Sequence, residues 1–146
     1  MPAVSGLNHV AVMTMDLERF IAFYTAAFGF EVVFRESMPG MSHAVLRIGA
    51  ESWLHPVEVQ GGQHASGDSA MFRRGHLDHL ALTAASREAF EQTRQLLMAA
   101  GASDGAVDDL GAYHAIWFRD PDGMRGELVL IVNPSLQGIH APVPLH

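Results

Sequence analysis

The chain has 146 residues, of which 49% are apolar and 17% are charged. This length and composition are typical of one globular domain that buries about two-thirds of its unfolded surface, and they exclude a disordered chain and a disulfide-stapled scaffold. The formal net charge of −7 argues against nucleic acid as a partner, and the absence of cysteine excludes thiolate chemistry.

The N-terminal sequence and the histidine content bear on location and chemistry. Residues 1–9 lack the basic and apolar segments of a signal peptide, and no apolar run is long enough to span a bilayer. We therefore expect a cytoplasmic protein with no membrane partner. The chain has 9 His, as many as Lys and Arg together, and histidine is the commonest metal ligand and the usual acid or base near neutral pH.

A weak internal repeat divides the chain into two halves. Residues 6–12 read Gly-Leu-Asn-His-Val-Ala-Val, and residues 76–82 read His-Leu-Asp-His-Leu-Ala-Leu. Such self-similarity is typical of duplicated structural units. We predict a single domain over residues 1–146, made of a first module (5–60), a Gly- and Ser-rich linker (61–75), a second module (76–132) and a proline-containing tail (133–146) that lies over the surface or reaches a partner.

Hydrophobic periodicity indicates the same order of elements in each module. A strand over 7–13 precedes an amphipathic helix that begins after Asp16 and ends at Gly29, and a strand over 77–83 precedes a helix capped by Ser86. Three β-type segments follow in each module, at 31–36, 42–48 and 52–59 and at 105–109, 112–119 and 126–132. The sequence therefore predicts an α+β fold in which two βαβββ modules form a curved mixed sheet around a cleft, with the helices outside.

Alternation along the strands predicts polar side chains on the face away from the helices. His9 and His79 alternate with aliphatic residues in the first strands of the two modules, and His55 and Glu127 hold equivalent places in the last strands. Imidazole and carboxylate ligands suit divalent first-row metals. The cleft is therefore predicted to contain Fe, Mn, Ni, Co or Zn, bound by His9, His55, His79 and Glu127.

One question, the role of His55, stays open at this predicted site. His9, His79 and Glu127 alone satisfy a facial triad of two histidines and one carboxylate, with open positions for a substrate. His55 is then either a fourth ligand, which we favour, or an acid or base. The sequence does not decide between them, because Pro56 makes the local strand geometry uncertain.

Candidate proton donors and acceptors lie on the third strands of the modules. These residues are His43, Tyr113 and His114, and we take Tyr113 and His114 as the candidate catalytic residues beside a metal-bound substrate. The alignment of the two modules shifts by one residue there, so the sequence does not fix which of these side chains face the cleft.

Two segments of the chain resemble the vicinal oxygen chelate superfamily. One runs from Asn8 to Phe30, and the other, Phe118–Leu128, contains Asp-Pro-Asp-Gly followed by Glu127. The resemblance extends over residues 5–132, and the second segment is its most specific part. Members of this superfamily include glyoxalase I, methylmalonyl-CoA epimerase, extradiol ring-cleaving dioxygenases, fosfomycin-modifying enzymes and bleomycin-binding resistance proteins.

The resemblance implies a site and a function. Metal ligands on the first and fourth strands of the modules correspond to His9, His79 and Glu127. The implied function is that of a metal-dependent enzyme, a glyoxalase-like lyase or isomerase or an extradiol-type dioxygenase, whose small substrate chelates the metal through neighbouring oxygens. The alternative is a non-catalytic antibiotic-binding resistance protein, a class that usually lacks the metal ligands. The resemblance also implies a homodimer.

Overall fold

The computed structural model describes residues 8–50, 52–61, 77, 79–135 and 139–144. The chain divides into two compact units, Met1–Ser66 and Gly67–His146. Apart from Gly61, the predicted linker lies outside the described residues.

The first unit contains one helix and a 4-stranded mixed sheet. Its elements are β1 (His9–Thr14), α1 (Leu17–Phe28), β2 (Glu31–Met38), β3 (Met41–Gly49) and β4 (Ser52–Val59). The strand order is β1-β4-β3-β2, with β1 parallel to β4 and the other pairs antiparallel.

Helix α1 is fixed at both ends by local chemistry. The side chain of Asp16 accepts a hydrogen bond from the Arg19 backbone N–H at 2.9 Å, and the Glu58 carboxylate accepts one from the Leu17 N–H at 2.8 Å. These two bonds satisfy N–H groups that the first helical turn leaves without an internal partner. Gly29 ends the helix with a φ of 69°, a left-handed conformation that glycine adopts without strain.

The second unit repeats this order and adds one strand. Its elements are β5 (Leu80–Thr83), α2 (Arg87–Ala99), β6 (Asp108–Gly111), β7 (Tyr113–Arg119), β8 (Arg125–Ile131) and β9 (Ile139–Pro144). The 5-stranded sheet has the order β5-β8-β7-β6-β9, with β5 parallel to β8. The Ser86 side chain caps α2 by accepting from the Ala89 N–H at 3.1 Å.

The α+β prediction with two βαβββ modules is confirmed. Strand β9 was not predicted, because Pro142 and Pro144 cannot donate hydrogen bonds to a sheet ladder. The strand lies at the edge of the sheet, beside β6, where a strand needs only one bonded side. In the described part of the chain, neither helix has the length and apolarity to cross a bilayer.

The two sheets fill equivalent core positions in different ways. In the first unit Leu46 and Leu54 are cross-strand partners, and both are fully buried. The equivalent partners in the second unit are Phe118 and Gly126. A Cβ atom added to Gly126 would lie 2.1 Å from the Phe118 ring, so the ring occupies the volume that a second side chain fills in the first unit.

Candidate functional site

The first unit places His9 and His55 on one face of its sheet. In the parallel pairing of β1 with β4, Ala11 is the partner of His55, and strand alternation puts His9 on the same face as Ala11. The two imidazole rings lie edge to face with centroids 6.1 Å apart. The opposite face carries Leu54 and Pro56, which are buried.

Each of these histidines has a partner at one ring nitrogen. His9 Nδ1 lies 2.8 Å from Asn8 Oδ1. An amide oxygen only accepts, so Nδ1 donates this bond, and in the neutral ring Nε2 keeps its lone pair. His55 Nε2 lies 3.0 Å from His43 Nδ1. Burial, then the nearby His43 and His9, lower the pKa of His55 and favour the neutral ring that metal binding requires.

A concave site lies beside this pair. The cavity has a volume of about 200 Å³ and is lined by Asn8, His9, Val45, Trp53 and His55. Apolar side chains together with two imidazoles are typical of a small-molecule site with a few placed polar groups.

The second unit brings His79 and Glu127 together at the equivalent positions. Ala81 is the partner of Glu127 in the parallel pairing of β5 with β8, as Ala11 is of His55. His79 Nε2 lies 3.4 Å from Glu127 Oε2, and the Glu127 side chain is only 2% exposed. Its other oxygen, Oε1, is buried and has no hydrogen-bond partner.

This carboxyl group lies in an environment that disfavours its charged form. Burial raises the pKa of Glu127, His79 opposes the shift, and the negative charge of Asp108 adds to it. A buried acceptor without a donor costs free energy. A cation that both oxygens could contact would remove that cost.

Two aromatic residues share the sheet face of Glu127. Trp117 is its cross-strand partner. The indole contacts the His79 ring edge to face at a centroid distance of 5.0 Å and donates a hydrogen bond to Asp108 at 3.2 Å. Tyr113 lies on this face by alternation, and burial together with the charge of Glu127 raises the pKa of its phenol. The phenol is therefore a proton donor at neutral pH.

His114 lies on the other face of the same strand. Its cross-strand partner is Leu130, whereas Trp117 pairs with Glu127, and side chains alternate between the faces. The structure therefore does not bring His114 together with Glu127, and of the two candidate catalytic residues only Tyr113 shares its face.

The Asp-Pro-Asp-Gly segment forms a turn between β7 and β8. Asp120 Oδ1 accepts hydrogen bonds from the backbone N–H groups of Asp122 and Met124, both at 2.9 Å. Gly123 has a φ of 82°, which favours glycine. This turn sets the register that brings Glu127 opposite Trp117.

Comparisons with known proteins agree with this fold. The family model for the Glyoxalase/Bleomycin resistance protein/Dioxygenase superfamily matches residues 6–128. The chain belongs to this superfamily. No protein of curated function matches it.

Several solved structures resemble the chain. A glyoxylase/bleomycin resistance protein/dioxygenase domain from Frankia sp. EAN1pec is 25% identical with a TM-score of 0.77, covering 90% of this chain and 96% of that one. Lactoylglutathione lyase from Agrobacterium tumefaciens is 20% identical, with a TM-score of 0.59 and coverage of 88% and 96%. A variant of the fosfomycin resistance protein FosX from Listeria monocytogenes, with Mn(II) and dihydroxypropylphosphonic acid, is 20% identical, with a TM-score of 0.61 and coverage of 86% and 91%.

The candidate metal-binding side chains occur as one pair in each module. Within the described residues, no group of three or more His, Asp or Glu side chains is arranged to hold a metal ion. Each unit by itself contributes a pair of donors, His9 with His55 and His79 with Glu127. Their imidazole and carboxylate chemistry fits a divalent first-row metal, and the partnerless Oε1 of Glu127 fits a cation.

Two further residues near the site were not identified from the sequence. Asn8 contacts His9, and its place in the repeat, opposite Asp78, was the available signal. Glu36 lies 3.1 Å from His43 Nε2. No sequence pattern indicated Glu36, because its position depends on an irregularity in β2.

Proposed function

We propose that this protein is a metal-dependent enzyme of the vicinal oxygen chelate type, acting on a small substrate that binds a divalent metal through neighbouring oxygens. His9, His55, His79 and Glu127 would hold the metal. The observation that carries the proposal is the Glu127 carboxylate, buried beside His79 with one oxygen that has no hydrogen-bond partner.

The equivalence of the two modules supports this ligand set. His9 and His55 lie on β1 and β4, Glu127 lies on β8, and His79 directly precedes β5. Both pairs lie on the face away from the helix, and His55 and Glu127 are each the partner of an alanine. One histidine on a strand is commonly a structural residue. Two pairs at equivalent positions, both built from metal-binding side chains, favour a shared ligand function.

The surrounding residues suit chemistry on a polar substrate. The bound metal would polarise the neighbouring oxygens and stabilise negative charge that develops on them. Tyr113, whose raised pKa keeps its phenol protonated, would donate a hydrogen bond or a proton to the substrate. Trp53 and Val45 supply the apolar wall of the cavity in the first unit.

The reaction is that of a lyase or isomerase, or that of an extradiol-type dioxygenase. The metal distinguishes these classes, because iron serves the dioxygenase reaction, whereas nickel, cobalt, manganese or zinc serve proton transfer and lyase chemistry. We also propose a homodimer, which light scattering on the eluted protein would show as twice the chain mass of 15.8 kDa.

Elemental analysis of protein purified without chelators tests the proposal. The wild type is compared with His79→Ala, Glu127→Ala and the control Glu58→Gln, which alters a last-strand glutamate that bonds to α1. We expect stoichiometric metal in the wild type and the control, and its loss in both alanine variants.

The identity of the metal then directs the first activity assay. Iron would lead to oxygen-uptake assays with catechols, and the other metals would lead to lyase and isomerase assays. If neither the wild type nor any variant binds metal even after reconstitution, the enzyme proposal is overturned. The non-catalytic binding of a small molecule, such as an antibiotic, then becomes the function to test.

A further inference from the structure

A chain of three polar side chains leads outward from the His55 ring. His55 Nε2 lies 3.0 Å from His43 Nδ1, and His43 Nε2 lies 3.1 Å from Glu36 Oε2. The side chain of His43 is 16% exposed and that of Glu36 is 51% exposed. We call this set the Glu36–His43–His55 chain.

The carboxylate at the outer end determines where every proton in this chain lies. An ionised carboxylate only accepts hydrogen bonds, so His43 Nε2 carries a proton and donates a hydrogen bond to Glu36. In a neutral ring the other nitrogen is then an acceptor, so His43 Nδ1 accepts from His55 Nε2–H. His55 is left with its lone pair on Nδ1.

An irregularity in β2 makes this chain possible. The pairing with β3 shifts between Val32, opposite Leu46, and Phe34, opposite Val45. The extra residue in β2 reverses the parity of the rest of the strand. Glu36 therefore becomes the cross-strand partner of His43 and lies on the face that carries His9 and His55, instead of on the helix side.

We propose that Glu36 and His43 are positioning residues that fix the tautomer and orientation of His55, so that its Nδ1 atom, and not Nε2, is the atom that binds a ligand. Their role resembles that of carboxylates that bond to the outer nitrogen of metal-binding histidines, where loss of the partner lowers metal affinity by about 10- to 100-fold. The ligand part of this inference rests on the proposed function. The tautomer part does not.

His9 offers an internal contrast within the same unit. Its Nδ1 is occupied by Asn8 Oδ1, which leaves Nε2 as the donor atom. The two histidines of the first unit are thus expected to present opposite ring nitrogens.

The test compares wild type with Glu36→Gln and His43→Phe. Phenylalanine keeps the ring and its contact with Phe34 but removes both nitrogens. Glu31→Gln is the matched control, since Glu31 is an exposed glutamate of the same strand that pairs with Arg47. All four proteins are checked for folding by thermal unfolding.

The first measurement is the ¹⁵N spectrum of the histidine rings in metal-free protein at about pH 8, above the ordinary histidine pKa of about 6.5. We expect His55 in the wild type and in Glu31→Gln to carry its proton on Nε2. In Glu36→Gln and His43→Phe we expect a mixture of the two tautomers, because a glutamine amide can also donate to His43 and phenylalanine bonds to neither nitrogen.

The second measurement is calorimetric titration of the same proteins with Ni²⁺, with an expected 10- to 100-fold weaker binding in the two test variants. An Nδ1–H tautomer of His55 in the wild type, or tautomers and affinities unchanged by both substitutions, would overturn the inference. Wild type that shows the expected tautomer but binds no metal would support the positioning role and overturn the proposed metal function.

Discussion

The two modules place a pair of side chains at equivalent positions and surround the pairs differently. One side chain begins the first strand or directly precedes it, and the other lies on the strand parallel to it. In the first unit, two imidazoles line an open cavity, and each is bonded at one nitrogen to a polar neighbour. In the second unit a carboxyl group is almost fully buried, and one of its oxygens has no partner.

This difference separates position from chemical environment. The parallel pairing of the first and last strands fixes where the side chains lie, and it is the same in both sheets. The surrounding residues decide whether a side chain is stable without a ligand. The two histidines of the first pair have hydrogen-bond partners within their own module. Burial of the Glu127 carboxylate, by contrast, costs folding free energy until a cation or proton is added. Substitutions can therefore separate the contributions of the two pairs.

The largest effect on the free energy of unfolding is expected at Gly126 and Phe118, where the cores of the two units differ. Gly126→Leu should lower the free energy of unfolding by about 3 kcal/mol, because the new side chain meets the Phe118 ring. Phe118→Leu should cost about 2 kcal/mol through the space it leaves. The double variant reproduces the Leu46–Leu54 arrangement of the first unit and should cost about 1 kcal/mol or less. Urea unfolding of the three variants checks this, and additive losses would contradict the equivalence of the modules.

Glu127→Gln should stabilise the metal-free protein by about 1 kcal/mol, because it removes a buried charge. Added Ni²⁺ at about 100 times its Kd should raise the stability of the wild type by about 2.7 kcal/mol and leave the variant unchanged. Thermal unfolding with and without Ni²⁺ measures both effects. His55→Gln should not stabilise the metal-free protein, and a gain there would show that the two environments are alike.

The pH dependence of stability should have opposite signs in the two pairs. The raised pKa of Glu127 means that the folded state holds this proton more tightly, so its stabilising contribution is complete at low pH and is lost as pH rises through the raised value. The lowered pKa of His55 means that its contribution is present above the ordinary histidine pKa and is lost as pH falls. Urea unfolding of metal-free wild type, Glu127→Gln and His55→Gln across pH measures the two differences, and equal signs would contradict this account.

The smallest effect on stability is expected at Asn8. Asn8→Ala removes one exposed hydrogen bond and should change the free energy of unfolding by no more than about 0.5 kcal/mol. The same substitution frees His9 to adopt either tautomer and should weaken Ni²⁺ binding about 10-fold. Calorimetric titration beside urea unfolding separates these results, and parallel losses of stability and affinity would argue for a purely structural role.

Local rules explain most of the fold that the sequence predicted. Asp16, Gly29 and Ser86 act as the helix boundaries that their chemistry indicates. Alternation in β1 and β8 was readable because one face of each sheet packs against a helix, which leaves His9 and Glu127 on the other face.

The features that were missed depend on strand register. The shift in β2 that brings Glu36 to His43 has no signature in residue type. The sequence could not decide whether Tyr113 or His114 shares the face of Glu127. That depends on the register of β7 against β8, which is set by tertiary pairing. The ligand set itself stays a prediction, because it requires side chains from both modules.

The parallel contact between β1 and β4 also bears on how the first module folds. The two strands are the first and last of the module, so their pairing has the largest sequence separation in this sheet, and such contacts form at the highest loop-closure cost. Any ligand held by both His9 and His55 would therefore strengthen the least local pairing of the module. Such a ligand would slow the separation of β1 from β4 during unfolding, and the local β2–β3 hairpin would still be free to form early.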